Sequence, residues 1–214
     1  MVTHEWAVPG TQDIPCVKGS AVRFAPGGEL KSCILSKDFT VQGIPFKKDS
    51  VLGFLENGSL WRCNISGDTV INGLQCRANS EVEFFPGGNV LSCVLSADTQ
   101  IGGISAAKGS LVMFHRNGRL FKCDMVDDAL IDGYSVRSGG DVCFFDDGRL
   151  SAFHLSEDRV IDGISCRAGT RVWLRIDGGL SACTAGRDVE IQGVLHKAGE
   201  LIVFREDGTP INYQ

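Results

Sequence analysis

The sequence lacks the features of a membrane-spanning, secreted or nucleic-acid-binding chain. It has no run of about eighteen apolar residues, so no segment is predicted to cross a membrane. The opening MVTHEWAVPG has no basic segment followed by an apolar one, so it does not predict a signal peptide, and the sequence does not show whether a leader was removed. No basic cluster occurs and the net charge is −5, which predicts no nucleic-acid partner. We expect a soluble folded chain of unknown localisation.

The motifs of common catalytic and metal sites are also missing. No C-x-x-C pair occurs, so no local zinc site is predicted. No Ser-His-Asp or Cys-His signature is recognisable, and the Gly-rich stretches FAPGGEL and FFPGGNV lack the Lys-Ser/Thr of a phosphate loop. Proline is scarce, with 6 residues against 27 glycines, and no capped stretch has helical periodicity. We therefore predict a non-enzymatic chain without cofactor, metal or catalytic residues.

What the chain does have is a pattern that returns at every thirtieth position, and a period of this length is typical of a repeat architecture. Four series of residues recur at this spacing without insertion or deletion. They are Gly43, Gly73, Gly103, Gly133, Gly163 and Gly193; Gly28, Gly58, Gly88, Gly118, Gly148, Gly178 and Gly208; Asp38, Asp68, Asp98, Asp128, Asp158 and Asp188; and Phe24, Phe54, Phe84, Phe114, Phe144 and Phe204, with Leu174 in the gap.

Each unit contains two hairpin signals. Asn57-Gly58 and Asn72-Gly73, with their equivalents, favour type I′ turns because both central residues of such a turn have positive φ. Two softer turns, at Ser-x-Asp and at Lys/Ala-Gly, complete four turns and hence four short strands per unit. The hairpin around Asn57-Gly58 is the long hairpin of a unit, and the one around Asn72-Gly73 is the short hairpin.

The register of both hairpins follows from these turns. A two-residue turn in the long hairpin pairs Phe54 with Trp61, and one in the short hairpin pairs Ile71 with Leu74. In both registers one face is apolar and the other polar, which is the pattern of a half-buried strand. We therefore expect the long and short hairpins to pack face to face, with neighbouring units closing the core.

The predicted fold is all-β. Tandem 30-residue repeats of two antiparallel hairpins stack into an elongated two-layer β-solenoid or meander, and the alternative is a seven-unit β-propeller. Residues 8–214 form a single β-repeat domain of about seven units, the last one partial, after a lead-in at residues 1–7. A unit of this length is short for a propeller blade, which disfavours the propeller.

The nine cysteines fall mainly into two columns of the repeat. One column is Cys33, Cys63, Cys93, Cys123 and Cys183 with Phe153 in the gap, and the other is Cys16, Cys76 and Cys166 among Phe46, Ala106, Val136 and His196. The apolar residues in both columns indicate core positions occupied by buried thiols. Equivalent cysteines would lie roughly 10 Å apart if each unit adds two strands to a sheet, which is too far for a disulfide. If instead each unit is one coil of a parallel solenoid, they would lie about 4.8 Å apart and could oxidise in pairs.

Two further columns allow a structural and a functional interpretation. The Asp38–Asp188 series would form either a cation ladder or, as we favour, Ser-x-Asp turns in which the carboxylate bonds its own backbone. Trp61, Leu91 and Phe121 share a column in three consecutive units, and form a candidate interaction stripe if exposed or extra core if buried. Core is favoured because their predicted partners are the phenylalanines. Met113 and Trp173 form a weaker candidate patch on the opposite face.

The phrase F-x-x-[N/D]-G-x-L-x-x-C, with I-[N/D]-G between its copies, resembles the hairpin repeats of bacterial MORN-type proteins, especially the YwqK-like variants. The resemblance covers the long hairpins, about half of the chain. It implies a hairpin array used for scaffolding or association and implies no catalytic residue. The predicted function is a non-enzymatic scaffold or protein-interaction module with a protein or cell-envelope partner. The alternative is a ligand- or glycan-binding propeller.

Small-angle X-ray scattering on the monomer tests the predicted stack. Seven units rising roughly 10 Å each would form a rod about 65–70 Å long, with a radius of gyration above about 20 Å. A compact chain of this length should give about 17 Å. The lower value would contradict the open stack.

Overall fold

The structure is a computed structural model that describes residues 14–17 and 22–211 and, for the backbone alone, residues 5–6. The predicted start of the first unit near residue 8 lies outside these residues, and so do residues 212–214. Glu5–Trp6, in the predicted lead-in, pairs antiparallel with Ile14–Pro15. The described residues contain strands and turns and no helix. This part of the chain therefore has no helix that could cross a membrane.

Residue contacts divide the chain into two compact units. The first body comprises Met1–Gln100 with Ala107–Gly118, and the second comprises Ile101–Ala106 with Arg119–Gln214. Each body contains several of the units seen in the sequence, which are called repeats below. Each body is described by itself.

The long hairpins supply the strands of one antiparallel sheet in each body. In the first body the strands are Arg23–Phe24, Leu30–Ile34, Val51–Phe54, Leu60–Ile65, Ser80–Phe84, Val90–Val94 and Leu111–Phe114. In the second body they are Leu120–Asp124, Asp141–Phe144, Leu150–His154, Arg171–Leu174, Leu180–Thr184 and Leu201–Val203.

The short hairpins form separate two-stranded sheets. Their strands are Phe39–Val41 with Ile44–Phe46, Thr69–Ile71 with Leu74–Cys76, Thr99–Ile101 with Ile104–Ala106, Ala129–Ile131 with Tyr134–Val136, Arg159–Ile161 with Ile164–Cys166, and Val189–Ile191 with Val194–His196. Each repeat therefore has the four strands that the sequence predicts.

The predicted register of the short hairpins is confirmed. Ile71 pairs with Leu74 and Thr69 with Cys76. The φ angles of Asn72 and Gly73 are 50° and 82°, as a type I′ turn requires. Thr69, Ile71, Leu74 and Cys76 are buried, so one face of the hairpin lies in the core.

The predicted turn of the long hairpins is wrong. The Gly58 amide donates to the Leu55 carbonyl and the Leu55 amide to the Ser59 carbonyl, both at 2.9 Å. These bonds close a three-residue loop in which only Gly58 has positive φ, at 79°. This is a type I turn followed by a left-handed glycine, a loop that Asn-Gly satisfies as well as it satisfies a type I′ turn.

The pairing of Phe54 with Trp61 is wrong for the same reason. Phe54 pairs with Leu60, and the register shifts so that Gly53 pairs with Arg62. Trp61 is the extra residue of a β-bulge and leaves the core face, while Leu60 takes its place in the core. The same shift recurs in four other long hairpins of the two bodies.

Each sheet is continuous from one repeat to the next, which confirms the β-meander. In the first body Cys33 pairs with Leu52, and Cys63 with Val82. In the second body the same column continues as Phe153 pairs with Val172. The propeller alternative is wrong, because the strands of a propeller blade pair within their own blade and not with the next one.

The inner faces of the two hairpin layers meet in the core. Leu35, Leu52, Ile65 and Phe153 are among the fully buried side chains, each of which contributes about 1.5–3 kcal/mol by leaving water. The layers also touch through backbone bridges, in which residues of the Cys16 column pair with residues of the Leu35 column nineteen positions later in the chain. Neither layer buries its apolar face alone, so stacking of neighbouring repeats completes the core.

The residue before the glycine of the short-hairpin turn has a second role. The Gln42 side chain donates to the Gly58 carbonyl at 2.8 Å and accepts from the Leu60 amide at 3.2 Å. In the second body the Asp162 carboxylate accepts from the Leu180 amide at 2.7 Å. Where this residue has a polar side chain of this kind, it attaches the short-hairpin turn to the next long-hairpin loop.

Substitutions at Asp162 separate these two roles. We expect Asp162→Ala to lower the free energy of unfolding by about 1–2 kcal/mol, because it loses the hydrogen bond and forces alanine into a φ of 50°. Asp162→Gly, the residue that Gly102 provides in another repeat, loses only the hydrogen bond and should cost less. Equilibrium urea unfolding measures both values. Equal losses in the two variants would show that backbone conformation contributes nothing at this turn.

Candidate functional site

The aspartate column forms a set of backbone contacts. In every repeat the carboxylate accepts a hydrogen bond from the amide ten residues onward, at 2.7–2.9 Å. The favoured interpretation, a carboxylate bonding its own turn, is therefore wrong in its partner, because the bond joins the residue before the short hairpin to the second residue after its end. The described residues contain no group of three His, Cys, Asp or Glu side chains arranged to hold a metal.

These contacts lower the pKa of three of the carboxyls. The backbone amide of Lys48 and the ammonium of Lys47 lower the pKa of Asp38. The amide and hydroxyl of Ser138 lower the pKa of Asp128. The ammonium of Lys197, 2.8 Å away, and then the Ala198 amide lower the pKa of Asp188. All three carboxylates are thus held in the ionised form.

Trp61 lies on the outer face of the first body's sheet, away from the core. A Cβ added to Gly53 would lie 3.3 Å from the Arg62 carbonyl oxygen, 3.4 Å from the Arg62 Cγ and 3.9 Å from the Trp61 ring, so Arg62 and then the indole lie beside this glycine. Trp61 is nevertheless 41% exposed, and the interpretation of Trp61 as extra core is therefore wrong. The bulge described above causes this placement.

Charged side chains surround Trp61. The guanidinium of Arg62 lies over the indole at 4.4 Å from the ring centroid, which is the geometry of a cation–π interaction. Arg62 also lies 3.7 Å from the carboxylate of Glu81 on the neighbouring strand. This ion pair is exposed, so it positions the guanidinium and contributes little stability.

The rest of the predicted stripe is less exposed. Leu91 occupies the equivalent bulge of the next long hairpin and is half-buried. Phe121 is also half-buried and belongs to the second body, whereas Trp61 and Leu91 belong to the first. The structure thus brings two members of the stripe into one sheet, and its interaction role stays a prediction.

The second predicted patch contains a network of charges. Met113 is half-buried in the first body, and Trp173 is half-buried in the second. Around Trp173, Arg171 stacks on the ring at 5.4 Å and also pairs with Asp141. Lys122 approaches the same carboxylate at 3.1 Å. Burial alone would raise the pKa of Asp141, but hydrogen bonds from Arg171 and Lys122 outweigh it and lower the pKa.

Cys143 lies within this network but is not activated as a nucleophile. Its sulfur is 3.4 Å from an Arg171 nitrogen. Burial, and then the negative charge of Asp141, raise the pKa of the Cys143 thiol despite the arginine. A catalytic cysteine needs the opposite shift, because the thiolate is the reactive form. The network suits electrostatic contacts better than covalent chemistry.

Two residues that depart from the repeat pattern lie beside this network. His154 and Gly140 both differ from the residues that other repeats have in their columns. A Cβ on Gly140 would lie 2.6 Å from the His154 Nδ1, so the glycine makes room for the imidazole. The buried Nδ1 has no hydrogen-bond partner among the described residues. At Gly140 the absence of a side chain therefore leaves room for a larger neighbouring side chain.

The sequence reasoning missed the residues that position the two tryptophans, namely Gly53, Arg62, Arg171 and Asp141. A signal for them was present. Gly53 is the only glycine in a column that otherwise contains Arg23, Glu83, Met113, Cys143, Trp173 and Val203. A single missing side chain in a strand column indicates that a neighbour occupies the space.

No protein-family model and no curated protein matches this chain.

The lowered pKa values of the aspartates predict acid sensitivity. A carboxyl whose folded-state pKa is lowered stabilises the fold fully above its unfolded value, near 3.8, and that stability is lost as the pH falls through the folded value. We expect the combined variant Asp38→Asn, Asp128→Asn and Asp188→Asn to lose less stability than wild type between about pH 5 and pH 2. Urea midpoints across this range measure the effect.

The control for this test changes carboxylates outside the column. Glu56 and Glu206 are exposed loop residues, so the combined variant Glu56→Gln and Glu206→Gln should keep the wild-type slope of stability against pH. An aspartate variant with the same slope as wild type would show that these aspartates do not cause the acid sensitivity.

Proposed function

We propose that the chain is a non-enzymatic β-repeat scaffold whose function is to bind a protein partner on the outer face of its long-hairpin sheet, around Trp61. The observation that carries this proposal is an exposed tryptophan fixed on a strand, with an arginine stacked on its ring. Tryptophan and arginine are two of the residue types that contribute most of the binding energy in protein interfaces.

The position of Trp61 is suited to binding because it is organised before a partner arrives. The indole lies beside Gly53, and the Arg62 guanidinium lies over the ring. A side chain held in this way loses little conformational entropy on association. The half-buried Leu91 in the next repeat would extend the apolar surface within the same sheet.

The architecture agrees with a scaffolding role. Repeats that contact mainly their neighbours produce broad surfaces, which repeat proteins use for association. The resemblance of the long hairpins to MORN-type repeats implies the same role. Glycan binding is not proposed, because that alternative depended on the central channel of a propeller and the continuous sheets contain no propeller blades.

Site-specific photo-crosslinking tests this proposal. A photoreactive phenylalanine analogue at position 61 should give a discrete protein adduct in an extract of the cells that make the chain. Excess unlabelled wild-type chain should compete for that adduct, and the Arg62→Ala variant should compete at least several-fold less well, because a lost hot-spot contact costs roughly 1–2 kcal/mol.

The control places the same analogue at Ile176, which is 53% exposed in a long-hairpin loop of the second body. This position should not give the adduct. The proposal fails if position 61 gives no protein adduct, if positions 61 and 176 give the same adducts, or if Arg62→Ala competes as well as wild type.

A further inference from the structure

Three pairs of cysteines occupy one place in the repeat. In each pair the two cysteines are 17 residues apart, and one comes from each of the two cysteine columns. The pairs are Cys16 with Cys33, Cys76 with Cys93, and Cys166 with Cys183. Cys166 and Cys183 form a disulfide, with their Cα atoms 5.7 Å apart. The other two pairs are free thiols, and in each pair the second cysteine lies close enough to lower the pKa of the first.

The backbone around the three pairs is the same. Cys16, Cys76 and Cys166 form bridges with Leu35, Leu95 and Ala185, two residues beyond their partner cysteines. The backbone amide of the residue that follows each of these cysteines donates a hydrogen bond of 2.8–2.9 Å. The acceptor is the carbonyl of the residue that follows the partner cysteine. The strand ends that carry each pair are therefore held at one separation in all three repeats, and it is a separation that a disulfide spans.

The first cysteine of each pair also has one side-chain orientation. The sulfurs of Cys16, Cys76 and Cys166 lie 3.4, 3.7 and 3.7 Å from the carbonyl oxygen two residues before them. All six cysteines of the three pairs are buried. The two open pairs thus repeat the geometry of the closed pair in both backbone and side chain.

We propose that Cys16–Cys33 and Cys76–Cys93 are disulfide sites equivalent to Cys166–Cys183, and that oxidation closes all three pairs as covalent links between the short-hairpin and long-hairpin layers. Two of these links lie in the first body and one in the second. The remaining cysteines, Cys63, Cys123 and Cys143, stay as thiols.

The oxidant is a small-molecule disulfide such as oxidised glutathione. During folding, before the pair is buried, the thiolate of the first cysteine attacks one sulfur of that disulfide, which breaks its S–S bond and releases one glutathione thiolate. The thiolate of the second cysteine then attacks the first cysteine's sulfur in the mixed disulfide, forming the protein disulfide and releasing the second glutathione. The two protons from the protein thiols pass to the two glutathione thiolates.

The unpaired cysteines explain why the pairing is specific. Cys63 and Cys123 occupy the same column as Cys93, but Phe46 and Ala106 stand in the places of their partners. Equivalent residues of successive repeats are two strands apart, about 10 Å, so Cys63 and Cys93 cannot bond. Burial raises the pKa of both Cys63 and Cys123 to about 12, which keeps these thiols protonated and unreactive.

Disulfide mapping of the whole chain tests the proposal. The reduced, unfolded protein is refolded in a buffer of reduced and oxidised glutathione, then labelled with N-ethylmaleimide in denaturant. Of the nine cysteines six should be linked, so intact mass should show three labels after oxidative refolding and nine after refolding with a strong reductant. Peptide mapping should place the links at 16–33, 76–93 and 166–183.

Two results would overturn the proposal. One is labelling of Cys16, Cys33, Cys76 or Cys93 in most of the oxidatively refolded protein. The other is a dominant link that includes Cys63, which lies near the Cys76–Cys93 pair. Both are read from the wild-type chain, so the test does not depend on any variant folding.

Thermal unfolding provides a second, independent readout. Oxidation should raise the midpoint temperature, by roughly 5–15 °C for each link. Cys76→Ala recreates the Ala106–Cys123 combination that the chain already contains. It should reduce the difference between the oxidised and reduced midpoint temperatures by the amount that one of the three links contributes. Cys63→Ala should lower both midpoints and leave their difference unchanged. A Cys76→Ala variant with the wild-type difference would overturn the proposal.

Discussion

The structure depends on the need of each hairpin to bury one apolar face that it cannot bury alone. A short hairpin of two three-residue strands has too little surface for an independent core, and a long hairpin leaves one side of its sheet uncovered. Stacking the two layers, repeat after repeat, removes both faces from water. The turn side chains, the aspartate contacts and the cysteine pairs all act at this junction of layers, and they hold in register two surfaces that hydrophobic burial has already brought together.

The inner face of the sheet stays apolar from repeat to repeat, whereas the outer face varies in both size and charge. Gly140 makes space for His154, and Gly53 lies beside Arg62 and Trp61. The inner residues of these strands also vary, as Phe153 in the cysteine column shows, but they stay apolar and buried. The outer face can therefore acquire individual binding residues while all repeats keep one common fold.

Much of the fold was predictable because turn chemistry and period-two alternation are local properties. The short-hairpin register followed from Asn72-Gly73 alone. The long-hairpin register did not, because Asn57-Gly58 satisfies two loop types that differ by one residue. The unbroken apolar column from Leu30 to Leu180 would have selected the correct loop, since the Trp61 column includes Lys31 and Ser151. The cysteine pairs were missed because their members lie in different columns, and the signal was the constant spacing within each pair.

Each repeat adds two antiparallel strands to its sheet, and this even number limits how such a chain can change in length. Gain or loss of one whole repeat restores the strand direction, the inward face and the partner for every hydrogen bond at the junction. Half a repeat supplies only one strand of the sheet. Its gain or loss would reverse the direction of the strands that follow and turn their apolar residues toward water. Viable length variants should therefore differ by whole repeats only. The hydrogen-bonding pattern of the sheet thus restricts insertions and deletions in the gene to multiples of one repeat.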